Sequence, residues 1–418
     1  MTTATQPTAG SAAPVSSPGP IILAASGEVC AATIETVRRL AVRDGRAVTV
    51  VSAVSLPPAS DRLIGGPYVP DADAYAAPRR SALARRLAAS GTDAAAWPIE
   101  IALDEPAHAI TDAARRAGAT LIALSTGRHD VIGRLAGEVA LRVTRHTPCP
   151  VLVIGAEPLS APLRAAVAAI DFSPSSVVAA RAAAELLDDG ATLHLVHVRP
   201  TEDAAGERGL ADRLARVERA LASRARALTI LPSILVGDPA AQIVAFAATH
   251  DADLVALGHH ARGIVERLFV GSIAMRTLRD ATGAVLVTPE PRLAERDLVS
   301  RIIDGAFESR DRSEWGALLD AFSDRNLTRR TRIEIHDRTS SGRLQEDGYR
   351  LTGVTYDPHD HRITIMLGDR TGAPGHVTHA IQDVRSVTMR SDEHLHDTAL
   401  ELVHGAATTV LTFLPDDR

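Results

Sequence analysis

Aromatic residues make up only 3% of this 418-residue sequence, and the formal net charge is −6 at pH 7. Nucleic-acid binding needs a basic footprint and stacking platforms, so both shortages argue against a nucleic-acid partner. The two cysteines, Cys30 and Cys149, are too few for a disulfide framework, and neither belongs to a metal-binding Cys pair. Both read as small buried apolar residues. No apolar run reaches the roughly 18 residues a membrane helix needs, so no membrane association is expected. The opening MTTATQPTAGSAAPVSSPGP has neither a basic start nor an apolar stretch. Residues 1–19 therefore read as a disordered arm, and a cytoplasmic protein is expected. Also missing are a G-x-x-x-x-G-K-(S/T) phosphate loop, a G-x-S-x-G nucleophile elbow and an H-E-x-x-H zinc helix, so no enzyme is expected and no catalytic residue is assigned.

Hydrophobic residues at 45% and charged residues at 23% are close to globular averages. The length suggests about three domains. An internal repeat organises the first two thirds: residues 20–156 and 163–290 contain the same succession of elements. The first strands are IILAA (21–25) and AAVAAI (165–170), each followed by a turn and an Ala-rich helix. The second are AVTVVSAV (47–54) and ATLHLVHV (191–198), rich in β-branched residues. PIEIAL (98–103) and PSILVG (232–237) lead into DEPAH and DPAAQ, where Asp and Pro suit a helix cap and a first-turn proline. TLIALST (120–126) and DLVALGH (253–259) run into glycine-containing loops, and CPVLVIG and GAVLVTP close the copies. Apolar strands alternating with helices predict a doubly wound parallel five-stranded sheet in each copy, with ligands bound at the strand carboxyl ends. Residues Leu56 to about Arg79, with Pro57, Pro58, Gly65, Gly66, Pro67 and Pro70, read as an irregular surface loop.

In the second copy Asp171 directly follows the first strand. The fourth runs into Gly258-His-His-Ala261, then nine residues, then Gly271-Ser272. The strand order, the strand-terminal Asp and this G-x-x-(G)-x9-G-S loop resemble the universal stress protein family, whose ATP-binding members carry G-x-x-G-x9-G-(S/T). The resemblance spans both Rossmann-like copies. It implies a site for ATP or a related adenine nucleotide, with magnesium as accompanying ion, built from Asp171, Val198, Gly258, Ala261, Gly271, Ser272 and Ile273. In the family the loop wraps ribose and phosphates while the Asp contacts the nucleoside. Here Ala261 replaces the second loop glycine; a left-handed backbone there would cost about 1–2 kcal/mol. The first copy departs further: Ser26-Gly27 stands for Asp-Gly, Leu124 for the first loop glycine, and Gly127-x9-Gly137 ends in Glu138, whose charge repels a phosphate. That copy is expected to be degenerate. Family members pair through their fifth strands, which implies that VLVIG (151–155) and AVLVT (284–288) meet within one chain as a pseudo-dimer; a further homodimer stays open. His259 and His260 are adjacent loop residues that read as solvated.

Residues 297–418 read as a small α+β domain. Trp315, Leu318, Leu319 and Phe322 fall on one helical face, and the whole of AERDLVSRIIDGAFESRDRSEWGALLDAFSDRN reads as helix with polar breaks. Short strands follow: TRIEIH, YRLTGVTYD, RITIML, HVTHAI, VRSVTMR and TTVLTFL, with DPHDH (357–361) as a turn. The order resembles small bacterial domains of unassigned function. Histidines 359, 361, 376, 379, 394, 396 and 404 cluster here; His359 and His361 are spaced for a metal, but turns and exposed strand positions suit them better, and no metal is expected. The leading expectation is a stress-response protein regulated by nucleotide in the second copy. The alternatives are a nucleotide-free scaffold presenting the C-terminal domain to a protein partner, and a slow ATP hydrolase.

Overall fold

The computed structural model describes residues 19–25, 29–54, 72–125, 139–155, 159, 162–200, 204–222, 227–259, 270–337, 340–370, 375–392 and 394–415. Two compact units emerge. One holds residues 1–164, 247–255 and 264–289; the other holds 165–246, 256–263 and 290–418. The unit boundaries thus cut through the second repeat instead of following its ends.

In the first unit, β1 (Ile21–Ala24), α1 (Ala31–Asp44), β2 (Val48–Ala53), α2 (Ala72–Ala89), α3 (Thr92–Ala95), β3 (Ile99–Ala102), α4 (Pro106–Ala117), β4 (Leu121–Ser125), α5 (139–146) and β5 (Val151–Ile154) follow in sequence. The sheet is parallel in the order β3-β2-β1-β4-β5. The central strands β1, β4 and β5 are buried almost throughout, while edge strand β3 carries Glu100; on one face Ile22, Val51, Ile122 and Val151 pack with Ile110 and Ala114 of α4 and Val143 of α5. Cys149 joins this core, and burial pushes its thiol pKa up. Cys30 does not; it is half-exposed at the start of α1, a correction to its reading as buried. The fifth strands do meet: β5 pairs antiparallel with β10 (Ala284–Thr288), Leu152 opposite Leu286.

The expected loop from Leu56 to Arg79 needs correcting at its end. Residues 55–71 lie outside the described part, but the chain is helical from Ala72 despite Pro78 inside the helix. A proline there removes one backbone donor. Leu83 and Leu87, both fully buried, and the Ala/Arg-rich composition hold the helix nonetheless. The cap of α4 is also shifted. Glu105, not Asp104, accepts from the His108 N–H at 3.2 Å, and Asp104 instead pairs with the His108 ring.

The second unit opens with β6 (Ala165–Ala169), α6 (Pro174–Leu186), β7 (Thr192–Arg199), α7 (Ala204–Ala222) and β8 (Thr229–Val236); α8 (Pro239–Thr249) up to residue 246 and β9 (Leu254–Gly258) from residue 256 also belong to it. Strands β6, β7 and β8 are parallel, with Ala169 opposite Val196. After α9 (Val270–Asp280), which belongs to the first unit, α10 (Leu293–Asp304) packs on α6 and α7. The C-terminal domain then comprises β11 (Ala306–Ser309), α11 (Arg312–Asn326), β12 (Arg330–Asp337), β13 (Ser340–Asp357), β14 (Arg362–Arg370), β15 (Val377–Ile381), β16 (Val384–Ser391), β17 (Asp397–His404) and β18 (Ala407–Phe413). Its eight-stranded sheet runs β11-β16-β17-β18-β12-β13-β14-β15, and each neighbouring pair in it is antiparallel.

Trp315, Leu318, Leu319 and Phe322 bury the expected face of α11 on this sheet, with Leu351, Ile365, Val387 and Leu402. Asp357 makes the expected turn by accepting the N–H groups of His359 and Asp360 at 2.9 and 3.3 Å, bonds that hold its carboxyl below the usual range. Two strands escape the sequence reading. β11 interrupts the segment read as helical, and β17 was not expected at all. Both carry buried residues, Phe307 in β11 and Ala399, Leu400 and Leu402 in β17, and both pair with β16. No group of three or more His, Cys, Asp or Glu among the described residues could hold a metal ion. No helix among them is long and apolar enough to cross a membrane.

Candidate functional site

The carboxyl ends of β6, β7 and β9 gather three of the expected residues within the second unit. Asp171 is exposed one residue beyond the β6 backbone bond from Ile170 N to the Val196 carbonyl. Continuing the β6–β7 register by two residues sets it opposite Val198. Its Oδ1 accepts the Ser173 N–H at 2.9 Å and also the Ser173 hydroxyl. Ser173 caps α6, its Oγ accepting from Ser176 N at 3.2 Å, and Pro174 takes the first helical position. Ser175 Oγ lies 3.1 Å from Ser173 Oγ. The sequence Asp-Phe-Ser-Pro-Ser-Ser therefore builds a rigid, hydroxyl-rich helix start beside an exposed carboxylate.

Gly258 closes this corner from β9. A Cβ there would lie 2.4 Å from Ser176 N and 2.5 Å from the Ser175 carbonyl carbon, both backbone atoms that cannot swing away. The glycine is thus required by the approach of β9 to the start of α6. Ala261 lies outside the described residues, as does His260. Gly271, Ser272 and Ile273 belong to the first unit and form the first turn of α9; the Ile273 side chain is exposed, and nothing further is described of the other two.

The turn between Asp171 and α6 is held by groups with no motif. Phe172 has φ +62°, a left-handed conformation costing a non-glycine residue about 1–2 kcal/mol. Its ring lies 4.8 Å from that of His197 and 4.2 Å from the Arg213 guanidinium. His197 Nδ1 donates to the Ile170 carbonyl at 2.7 Å. Ser173 was legible as a helix cap before a proline. Arg213 was not, since it arrives from α7.

The first repeat differs at each comparable place. α1 starts at Cys30, whose side chain makes no cap bond; its N–H reaches Ser125 Oγ at 3.3 Å instead. The reading of Leu124 as the counterpart of the loop glycine needs correcting: β4 and β9 match residue for residue, so Leu124 corresponds to the equally buried Leu257 and Ser125 stands where Gly258 does. Ser26, Gly27, Gly127, Gly137 and Glu138 fall outside the described residues.

The fold and this corner define a class: tandem parallel α/β domains whose strand carboxyl ends face capped helix starts. Family models bring this to a name. The universal stress protein family model matches residues 19–155 and 163–289, and a family of unknown function (DUF5335) matches 307–414. The chain belongs to the universal stress protein family. Similar solved structures include a universal stress protein from Archaeoglobus fulgidus, 18% identical, covering 65% of this chain and 96% of that one with TM-score 0.48. A putative universal stress protein from Pseudomonas aeruginosa is 18% identical and covers 68% of this chain and 97% of its own, TM-score 0.44. A universal stress protein solved in complex with cAMP is 22% identical over 31% of this chain and 98% of that one, TM-score 0.26. No curated protein matches the sequence.

Proposed function

We propose that the second repeat binds ATP or a related adenine nucleotide at the carboxyl ends of β6, β7 and β9, and that the protein is a nucleotide-responsive regulator, not an enzyme. The observation that carries this reading is the asymmetry between repeats. Asp171, the serine-capped start of α6 and the tightly packed Gly258 stand together in the second. The first has Cys30, which makes no side-chain cap bond, and Ser125 in the corresponding positions. An exposed carboxylate suits the hydroxyls of a ribose, which donate hydrogen bonds, better than a phosphate, which it repels. The family resemblance assigns the phosphates to Gly271 and Ser272, in the first turn of α9, where a helix start offers backbone N–H groups. Magnesium would accompany the phosphates; no residue of the chain is assigned to it. The family resemblance supports the same assignment.

Thermal melting with ATP, ADP, AMP and GTP tests it. Adenine nucleotides at 100 times their dissociation constant should stabilise the protein by about 2.7 kcal/mol. No shift with any of the four at millimolar concentration refutes the reading. Phosphate release should stay at background.

A scaffold without nucleotide is the second reading, favoured by one observation. The space that glycine opens at 258 is filled by the chain's own α6 backbone, so packing alone accounts for that residue. The scaffold would present the C-terminal domain to a protein partner.

A further inference from the structure

Phe172 leads from the strand-end corner into the C-terminal part of the second unit. The Arg213 guanidinium that covers its ring is also ion-paired to Asp304 at 2.9 Å, at the last residue of α10. Arg213 Nε has no hydrogen-bond partner among the described residues, so the ring and the carboxylate are the groups that fix this side chain. α10 is fastened along its length as well: Arg181 of α6 pairs with Glu295, and Arg216 of α7 donates to the Ile303 carbonyl at 2.8 Å. At its other side, Arg301 of α10 reaches Asp397 of β17 at 3.0 Å, and Gly305 accepts from Ser391 N at the end of β16 at 2.8 Å. A cavity of about 350 Å³ touches Ser175 beside the corner and Asp304, Phe307 and Thr388 opposite. One connected set of contacts therefore runs from the residue after Asp171 to the C-terminal sheet.

We propose that Phe172 and Arg213 are positioning residues of the nucleotide site, and that the C-terminal domain sets the affinity of that site through Asp304. The inference rests on the nucleotide reading above. Phe172 is held in a backbone conformation that a bulky residue adopts only when its surroundings impose it. Its surroundings are His197 on the strand side and Arg213 on the helix side. Loss of the Asp304 carboxylate frees Arg213 to leave the ring, and the turn that aims Asp171 relaxes. By reciprocity, nucleotide that prefers the held turn must tighten the hold of Arg213 on Asp304, and with it α10. The Arg213–Asp304 pair is partly exposed, with side chains 34% and 47% accessible, so the coupling is modest, about three- to fivefold in affinity.

The test uses the full chain. Calorimetry measures the ATP dissociation constant of the wild type and of Asp304→Asn, Arg213→Ala and Phe172→Leu. Hydrogen exchange follows residues 293–304 with and without ATP. Glu100→Gln, which breaks a surface pair with Arg116 in the first repeat, is the control, and melting curves confirm folding. Expected are a three- to fivefold weaker constant for Asp304→Asn, protection of α10 by ATP in the wild type, loss of that protection in Asp304→Asn and Arg213→Ala, and no change in the control. Wild-type binding with an Asp304→Asn constant within 1.5-fold of it, about the lower limit for a surface pair, or with no protection of α10, overturns the relay while leaving the site intact. Absence of binding to the wild type overturns the nucleotide reading itself, and the relay with it.

Discussion

Asp397→Ala should cost the C-terminal domain about 4 kcal/mol. The Asp397 side chain is 1% exposed and binds Arg301 at 3.0 Å, a guanidinium that is itself only 5% exposed. It also takes Arg325 at 3.0 Å and the Asn326 amide at 2.7 Å. Removing one member of a buried pair costs about 3–5 kcal/mol, because the remaining charge is neither solvated nor matched. Arg301 would keep the Ser391 hydroxyl at 3.3 Å and the Leu395 carbonyl, neutral acceptors, and of the carboxylates paired with it here Asp297, at 3.7 Å. Arg325 is 35% exposed and finds water, so its loss adds little, and Asn326 keeps the Phe322 carbonyl at 2.7 Å. Such a loss takes a large part of the 5–15 kcal/mol typical of a domain. Urea unfolding monitored by tryptophan fluorescence in a Trp97→Phe background measures it, since Trp315 is fully buried in the affected core. Arg301→Met with Asp397→Leu should recover most of the loss, replacing the pair by apolar groups of similar size. A single-variant cost below about 1 kcal/mol would refute the buried-pair account.

Gly258→Ala should destabilise the second unit by about 1–3 kcal/mol, as overpacking does, because its Cβ meets the backbone of Ser175 and Ser176; equilibrium unfolding reads the change. Asp297 carries a carboxyl whose pKa burial raises, against the opposing pull of Arg301. A raised carboxyl pKa means that its contribution is most favourable below the unfolded value of about 4 and is lost as pH rises through the folded one. Asp297→Asn should therefore be more stable than the wild type at pH 7, with the advantage shrinking toward pH 4 in melting curves.

The repeats were legible because their strands are apolar on both faces, a pattern that needs only local composition. β17 was hidden for the opposite reason: half of DTALELVH consists of good helix formers, and its strand state comes from partners 13 and 11 residues away, Ala399 opposite Thr412 and Leu400 opposite Leu411. β11 is only four residues long, too short for a period to show, and buries Phe307 by pairing with β16. Within the candidate site Asp171, Ser173 and Gly258 follow strands and helix starts that the sequence marks. Phe172 owes its conformation to His197 and Arg213, contacts that arise only when α7 folds against the sheet.

Calorimetric titration of ATP with magnesium into the intact protein, and into Asp171→Ala, Gly271→Asp and Glu138→Ser variants, tests the central claim most directly. The account predicts binding near one site per chain, lost in the first two variants and kept in the third. No heat with the intact protein at millimolar ATP, or binding that survives Asp171→Ala and Gly271→Asp together, would contradict it.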